Sequence, residues 1–234
     1  MLTIRKSNDR GHAQHGWLDS HHTFSFANYY DPAHMGYRDL RVINEDRVQP
    51  GQGFGAHPHR DMEILSYVLA GKLAHKDSMG HIELLGPNEI QRMSAGTGVV
   101  HSEFNGSNTE PVHFLQIWIE PKTTGTVPSY EQLKFAPEEK LNRFKLLASP
   151  RKVAGAATIN QDASVSVAEL TPGNSLTYDL AENRHSWVHI IRGEVTVNGV
   201  SLSSGDAVAA DNEQKLEITA KGSNNSEVLV FDLA

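Results

Sequence analysis

From Met62 onward the chain reads as one hairpin after another, and this alternation of short apolar runs with turn chemistry points to an all-β sandwich or barrel. Met62–Ala70 is apolar and strand-like, Lys72–His75 continues past Gly71, and Asp77-Ser78-Met79-Gly80 has the composition of a turn. His81–Leu85 returns, Gly86-Pro87-Asn88 turns again, Glu89–Met93 follows, and Val112–Ile119 is a strongly apolar strand. The second half repeats this plan. His185–Ile191 reads as a strand, Gly193 takes the place of Gly71, and Glu194–Val197 continues it. Asn198-Gly199, a two-residue hairpin signal, matches the turn at Gly80, and after Ser201–Ser203 the pair Gly205-Asp206 matches Asn88-Glu89. Self-similarity at an offset of about 120 residues implies two copies of one β-unit. Ahead of these hairpins, Thr23-Phe24-Ser25-Phe26 alternates as a half-buried strand, Leu40-Arg41-Val42-Ile43 reads as another, and Arg47–Gly55 as a loop. The best helical candidates are Ser129–Lys134 and Pro137–Phe144, in the connection at 120–150.

Composition narrows the chemistry. There is no cysteine, which excludes disulfides, thiolate nucleophiles and zinc-finger sites, so any metal must be held by His, Glu and Asp. A net charge of −7 and the lack of a dense basic cluster argue against direct nucleic-acid binding. No apolar run approaches a membrane span and MLTIRKSNDRGHAQHG has no signal-peptide core, so the expected location is the cytoplasm.

Two stretches carry ligand chemistry. In His57-Pro58-His59 the two imidazoles are one residue apart, a spacing that puts both on one face of a strand. In GTGVVHSEFN, His101 and Glu103 repeat that spacing. With 13 histidines in the chain a bare HxH means little. Its context adds weight: Gly51, Gly53 and Gly55 lead into the first pair, and Gly96 and Gly98 into the second. Two such strands facing each other would offer three imidazoles and one carboxylate to a metal. Glu63 competes with Glu103 for the fourth place, because 57, 59 and 63 share a parity and so do 101 and 103. In the second copy the positions equivalent to the first pair are Asp179 and Ala181, and no histidine follows His189. His185 and His189 are therefore read as structural, and one metal site is expected per chain. His21 and His22 are adjacent, so they point to opposite faces, and the aromatics Trp17, Phe24, Phe26, Tyr29 and Tyr30 are read as ordinary packing.

These residues also carry a family resemblance. Gly51, His57, His59 and Glu63, followed by Gly71, resemble the first cupin motif, and Gly98, His101 and Asn105 resemble the end of the second. GHAQHGWLDSHHTFSFANYYDP, HPHRDMEILSYVL and MSAGTGVVHSEFN resemble the pirins, specifically the bacterial pirin-like proteins credited with quercetin 2,3-dioxygenase activity. The match is dense over 1–120 and looser to the C-terminus. It implies a bicupin of two stacked barrels: 1–120 with the metal site, a connecting segment 121–150, and a degenerate barrel 151–234.

The resemblance selects Glu103 as the fourth ligand, with Glu63 close by as a supporting or backbone-anchoring group. It implies Fe2+ first among Fe2+, Ni2+, Co2+, Mn2+ and Zn2+. The implied reaction opens the central ring of a quercetin-like flavonol with O2 and releases CO, with Glu103 as both ligand and catalytic base. A pirin resemblance also carries an alternative, a metal-dependent regulator that binds a transcription factor or a metabolic enzyme. A cupin isomerase or hydrolase acting on a small polar metabolite is a third reading, since fold alone does not fix chemistry.

Overall fold

The computed structural model describes all 234 residues. It is built of antiparallel strands with two single-turn 3-10 helices, Ser7–Asp9 and Pro137–Glu139, and no helix is long and apolar enough to cross a membrane. The chain divides into two compact units. Relative to linear boundaries at 120 and 150, two segments change sides: residues 1–10 belong with the C-terminal unit and residues 151–161 with the N-terminal one.

The unit formed by 11–135 and 151–161 contains a seven-stranded sheet in the order Ser129–Lys134, Glu89–Ser94, Glu63–Ala70, Val112–Ile119, Leu40–Val48, Leu18–His22, Gly11–Gln14. A four-stranded sheet runs Gly53–His59, Val99–Asn105, Leu73–Asp77, Ile82–Leu85. Apolar residues of the first sheet (Leu18, Val48, Val68, Val112, Phe114) pack against Leu73, Leu85 and Phe54 of the second, which makes the unit a sandwich with a buried interior.

The other unit repeats this plan. One sheet places Leu2–Arg5, Ala207–Asp211, His185–Arg192, Ser226–Leu233, Ala163–Leu170 and Lys145–Ser149 side by side, and the other runs Ser175–Asp179, Lys215–Ala220, Glu194–Val197, Val200–Ser203. The repeat extends to the backbone. Gly71 and Gly193 both sit at positive φ, +76° and +83°, where they turn the chain from one sheet to the other. A Cβ at Gly71 would lie 2.5 Å from the Pro111 carbonyl oxygen, so the turn tolerates no side chain. The interiors differ. In the C-terminal unit Leu216, Ile218 and Ala220 are buried with Val188, Val195 and Leu202 in a continuous apolar core, and Leu176 and Tyr178 pack against it.

Four expectations need correction. Ser129–Lys134 is not helical but an edge strand paired in register with Glu89–Ser94. Its six residues are too few to separate helical from strand period, and pairing with the sheet edge decides. Pro137–Phe144 contains only the single turn Pro137–Glu139, closed by the Ala136 N–H donating to Glu139 Oε1 at 2.8 Å. The strand expected at 23–26 ends at His22, because the hydrogen bond from Ser25 Oγ to the Asp31 carbonyl and the positive φ of Ala27 curl the chain into a turn. Most of the presumed loop 47–55 is strand, since Leu40–Val48 and Gly53–His59 leave only residues 49–52 between them.

Candidate metal centre

The strand Gly53–His59 lies beside Val99–Asn105, with His57 opposite His101 and Phe54 opposite Glu103. Between these pairs the first strand carries one extra residue, a β-bulge. The Gly55 carbonyl, inside that bulge, lies 2.7 Å from His57 Nδ1. A carbonyl only accepts, so Nδ1 carries the proton and the Nε2 lone pair is free to bind. The strands also approach closely at Gly53, where a Cβ would sit 2.3 Å from the Glu103 carbonyl oxygen and 2.4 Å from Phe104 Cα. Glycine is required there for the two strands that carry the candidate ligands to meet.

The structure brings His57, His59 and His101 together. Their ring centroids are 4.9, 4.5 and 4.8 Å apart in the pairs 57–59, 57–101 and 59–101. Glu103 stands beside His101 in a second cluster, His75, His101 and Glu103, whose candidate ligand atoms lie within 4.8 Å of one another. Its carboxylate is fully buried. Gln116 Nε2 donates to Oε2 at 2.5 Å, and Ser66 Oγ lies 3.1 Å from Oε1.

Electrostatics sets the protonation of these groups. Burial, with neighbouring imidazoles adding to it, pushes His59 down to about 4 and His101 down to about 2, so both rings are neutral with lone pairs available. Burial lifts Glu103 to about 7 against the hydrogen bonds from Ser66 and Gln116, with the Asp46 charge adding to the rise. His59 Nε2 and both nitrogens of His101 are buried and make no hydrogen bond. Buried polar atoms are nearly always partnered, so an uncommitted nitrogen on each of His59 and His101, beside the free Nε2 of His57, fits a metal ion held between the three rings.

Glu63 lies elsewhere. The chain leaves the four-stranded sheet after His59, turns at Asp61 with φ +47°, and enters the seven-stranded sheet at Glu63. Face parity with His57 and His59 does not survive that change of sheet. The Glu63 carboxylate instead accepts from Ser94 Oγ at 2.7 Å, and burial holds it above the usual carboxylate range. His185 Nδ1 is 2.6 Å from Asp211 Oδ1, and neither His185 nor His189 joins a cluster of potential ligands. A third cluster, His12, Asp19 and His21, sits at an exposed sheet edge. There the rings of His12 and His21 stack 4.4 Å apart at 17°, and His12 Nε2 lies 2.8 Å and His21 Nδ1 3.6 Å from Asp19 Oδ1. His22, on the opposite face as expected, is buried with Nδ1 2.9 Å from Asn44 Oδ1.

A cavity of about 520 Å³ opens onto the cluster, lined by His57 and Glu103. Its apolar wall contains Phe26, Tyr29, Phe54 and Trp118, with Phe26 edge-on to Trp118 at 5.4 Å and 81°. Phe26 and Tyr29, expected as packing, are thus part of the cavity wall. The polar side is a strip that sequence reading missed: Ser20 and His22, Asn44 and Asp46, and Gln116, each pair spaced by two residues on neighbouring strands. Ser20 Oγ donates to Asp46, whose carboxyl is nevertheless lifted to about 7 by burial. The available signal was the i, i+2 spacing of polar residues along Leu18–His22 and Leu40–Val48.

Comparison with known proteins agrees with this geometry. Residues 3–119 match the Pirin family model and residues 146–233 match the model for the quercetinase C-terminal cupin domain. The chain is 48% identical to the quercetin 2,3-dioxygenase of Escherichia coli (strain K12) over 233 residues, covering 100% of this chain and 99% of that one. The crystal structure of YhhW from Escherichia coli superposes with a TM-score of 0.95 at 48% identity, covering 100% and 98% of the two chains. A second crystal structure, the bacterial pirin YhhW in complex with nickel(II), gives 0.94 at 48% identity, covering 100% and 99%. Sheets, repeat and histidine cluster accord with these matches, and the chain belongs to the pirin family.

Proposed function

We propose that this protein is a metal-dependent dioxygenase that opens the central ring of quercetin-like flavonols with O2 and releases CO. One divalent transition metal would be held by His57, His59, His101 and Glu103, with Fe2+ placed first and Ni2+, Co2+, Mn2+ or Zn2+ compatible with the same donors. The observation that carries this reading is the junction of three clustered imidazoles, two of them with unpartnered buried nitrogens, and a buried carboxyl with an aromatic-walled cavity of about 520 Å³. That volume lies in the range of pockets for drug-sized planar ligands. The names of the Escherichia coli relatives support the same assignment.

When bound, the ion supplies Lewis acidity toward the flavonol's 3-hydroxyl. The remaining work falls to the chain. Phe26, Tyr29, Phe54 and Trp118 form the apolar wall that receives the ring system and excludes water. Glu103 takes the proton of the 3-hydroxyl on a carboxylate oxygen, while Gln116 and Ser66 hold that carboxylate in place. The overall change balances as flavonol plus O2 giving a depside ester plus CO, both oxygen atoms of O2 entering the products.

The test is turnover of quercetin per bound metal in wild type, Glu103→Gln and Glu103→Asp. Glu103→Gln should lower it by about 10²–10⁴-fold, the usual worth of a general base, with weakened but measurable metal binding. Asp restores the charge with one methylene less reach and should recover activity in part. Near-wild-type turnover per metal in Glu103→Gln would remove Glu103 from the proton transfer.

A further inference from the structure

Behind the three-imidazole cluster lies a second line of side chains, His75, Asp77 and His81, on the strand Leu73–Asp77 and the turn after it. This strand is the other neighbour of Val99–Asn105, with His75 opposite Glu103 and Asp77 opposite His101. His75 and Asp77 have fully buried side chains. Asp77 receives four donors: His75 Nε2 at 2.9 Å, His81 Nδ1 at 3.0 Å, and the backbone N–H groups of Met79 and His81 at 2.9 and 3.1 Å.

This arrangement dictates a tautomer. An ionised carboxylate only accepts, so His75 Nε2 must carry its proton, and in a buried neutral imidazole Nδ1 is then a bare acceptor. His75 Nδ1 is buried and has no hydrogen-bond partner, and the ring beside it is His101, 5.4 Å between centroids, whose two nitrogens are also uncommitted. A neutral His101 has one N–H and one lone pair. Turned N–H toward His75, it presents its lone pair to the point shared with His57 and His59. Tyr130 stacks on both His75 (5.1 Å) and His81 (4.4 Å), which restricts rotation of the two rings.

We propose that His75 is a positioning residue for the metal centre: Asp77 sets its tautomer, and its Nδ1 accepts the N–H of His101, aiming the other His101 nitrogen at the ion. The assignment rests on the three-imidazole site proposed above. It gives His75 a role distinct from that of a ligand, although it stands as close to His101 and Glu103 as a ligand would.

The test uses full-length protein, His75→Phe and Asp77→Asn. Phe keeps the ring that stacks on Tyr130 and removes the acceptor. Asn has a single acceptor oxygen, which the two backbone N–H groups claim, so its amide N–H faces His75 and inverts the tautomer. The first readout is Ni2+ affinity by chelator competition, which should fall about 10–100-fold in each variant, the usual cost of losing a group that orients a ligand. The second is the imidazole 15N spectrum of metal-free protein. Wild type should show one His101 tautomer, and the variants a mixture or the opposite form. If Asp77→Asn fails to fold because its turn is lost, His75→Phe leaves that turn intact and carries the test. Unchanged affinity with an unchanged His101 tautomer overturns the proposal. So does complete loss of Ni2+ from folded His75→Phe, which would make His75 a ligand. A wild type that binds no Ni2+ overturns the site reading instead, while the metal-free spectrum still judges His75.

Discussion

A carboxyl buried as Glu103 is should cost the metal-free fold stability, and Glu103→Gln measures that cost. In the folded protein Glu103 holds its proton up to about pH 7, whereas its ordinary value is 4.5. Below pH 4.5 the group is protonated in both folded and unfolded chains and has no effect on their balance. As pH rises the unfolded chain releases its proton first, so wild-type stability is progressively lost until the folded pKa near 7 is passed. At about 1.4 kcal/mol per pH decade the loss reaches roughly 3 kcal/mol above pH 7, as an upper bound. Gln has no charge to bury, and Gln116 can turn its amide to offer the carbonyl to the new N–H. Asp46, raised by the same burial, is present in both proteins, which differ only in its coupling to Glu103. The assay is denaturant unfolding of chelator-stripped wild type and Glu103→Gln across pH 4.5–8, following the transition of the unit that holds the site. The variant should match wild type at the acid end and exceed it by about 2–3 kcal/mol at pH 8. Parallel profiles would refute the reasoning and show that Glu103 is solvated when the metal is absent.

Three further outcomes follow from the same structure. Metal-reconstituted protein should hold one tightly bound transition metal per chain by elemental analysis, because the interior of the C-terminal unit is filled by Leu216, Ile218 and their neighbours; two tightly held ions would contradict this. Glu63→Gln should keep its metal, since its carboxylate serves Ser94 on another strand; metal loss there with Glu103→Gln still loaded would reverse the ligand assignment. Gly53→Ala should destabilise the fold by more than about 2 kcal/mol and weaken metal binding, because its methyl group would overlap the Glu103 and Phe104 backbone; a thermal melt near wild type would show that the strands can separate there at little cost.

Much of this architecture was legible in the residues, for a physical reason in each case. The hairpins at Gly80 and Gly199 and the sheet changes at Gly71 and Gly193 announce themselves because positive φ restricts the residue type. The spacing of His57 and His59, and of His101 and Glu103, was readable because side chains alternate within one strand. That rule stops where a strand stops, which is why Glu63 looked equivalent to Glu103 until the turn at Asp61 separated the two sheets. His75 and Asp77 occupy the buried positions of an alternating strand, yet their meaning depends on which strand lies alongside, and pairing over long sequence distances is not written locally. The same holds for Asp46 and Gln116, which become a cavity wall only when Leu40–Val48 and Val112–Ile119 pair.

The most direct test of the central claim is the yield of carbon monoxide per flavonol consumed. Protein stripped of metal, reloaded anaerobically with Fe2+ and mixed with quercetin should leave the flavonol intact until O2 is admitted. It should then release one CO for each quercetin lost, and metal-free protein should release none. Iron-loaded protein that leaves quercetin untouched in air, or consumes it without CO, would contradict the account.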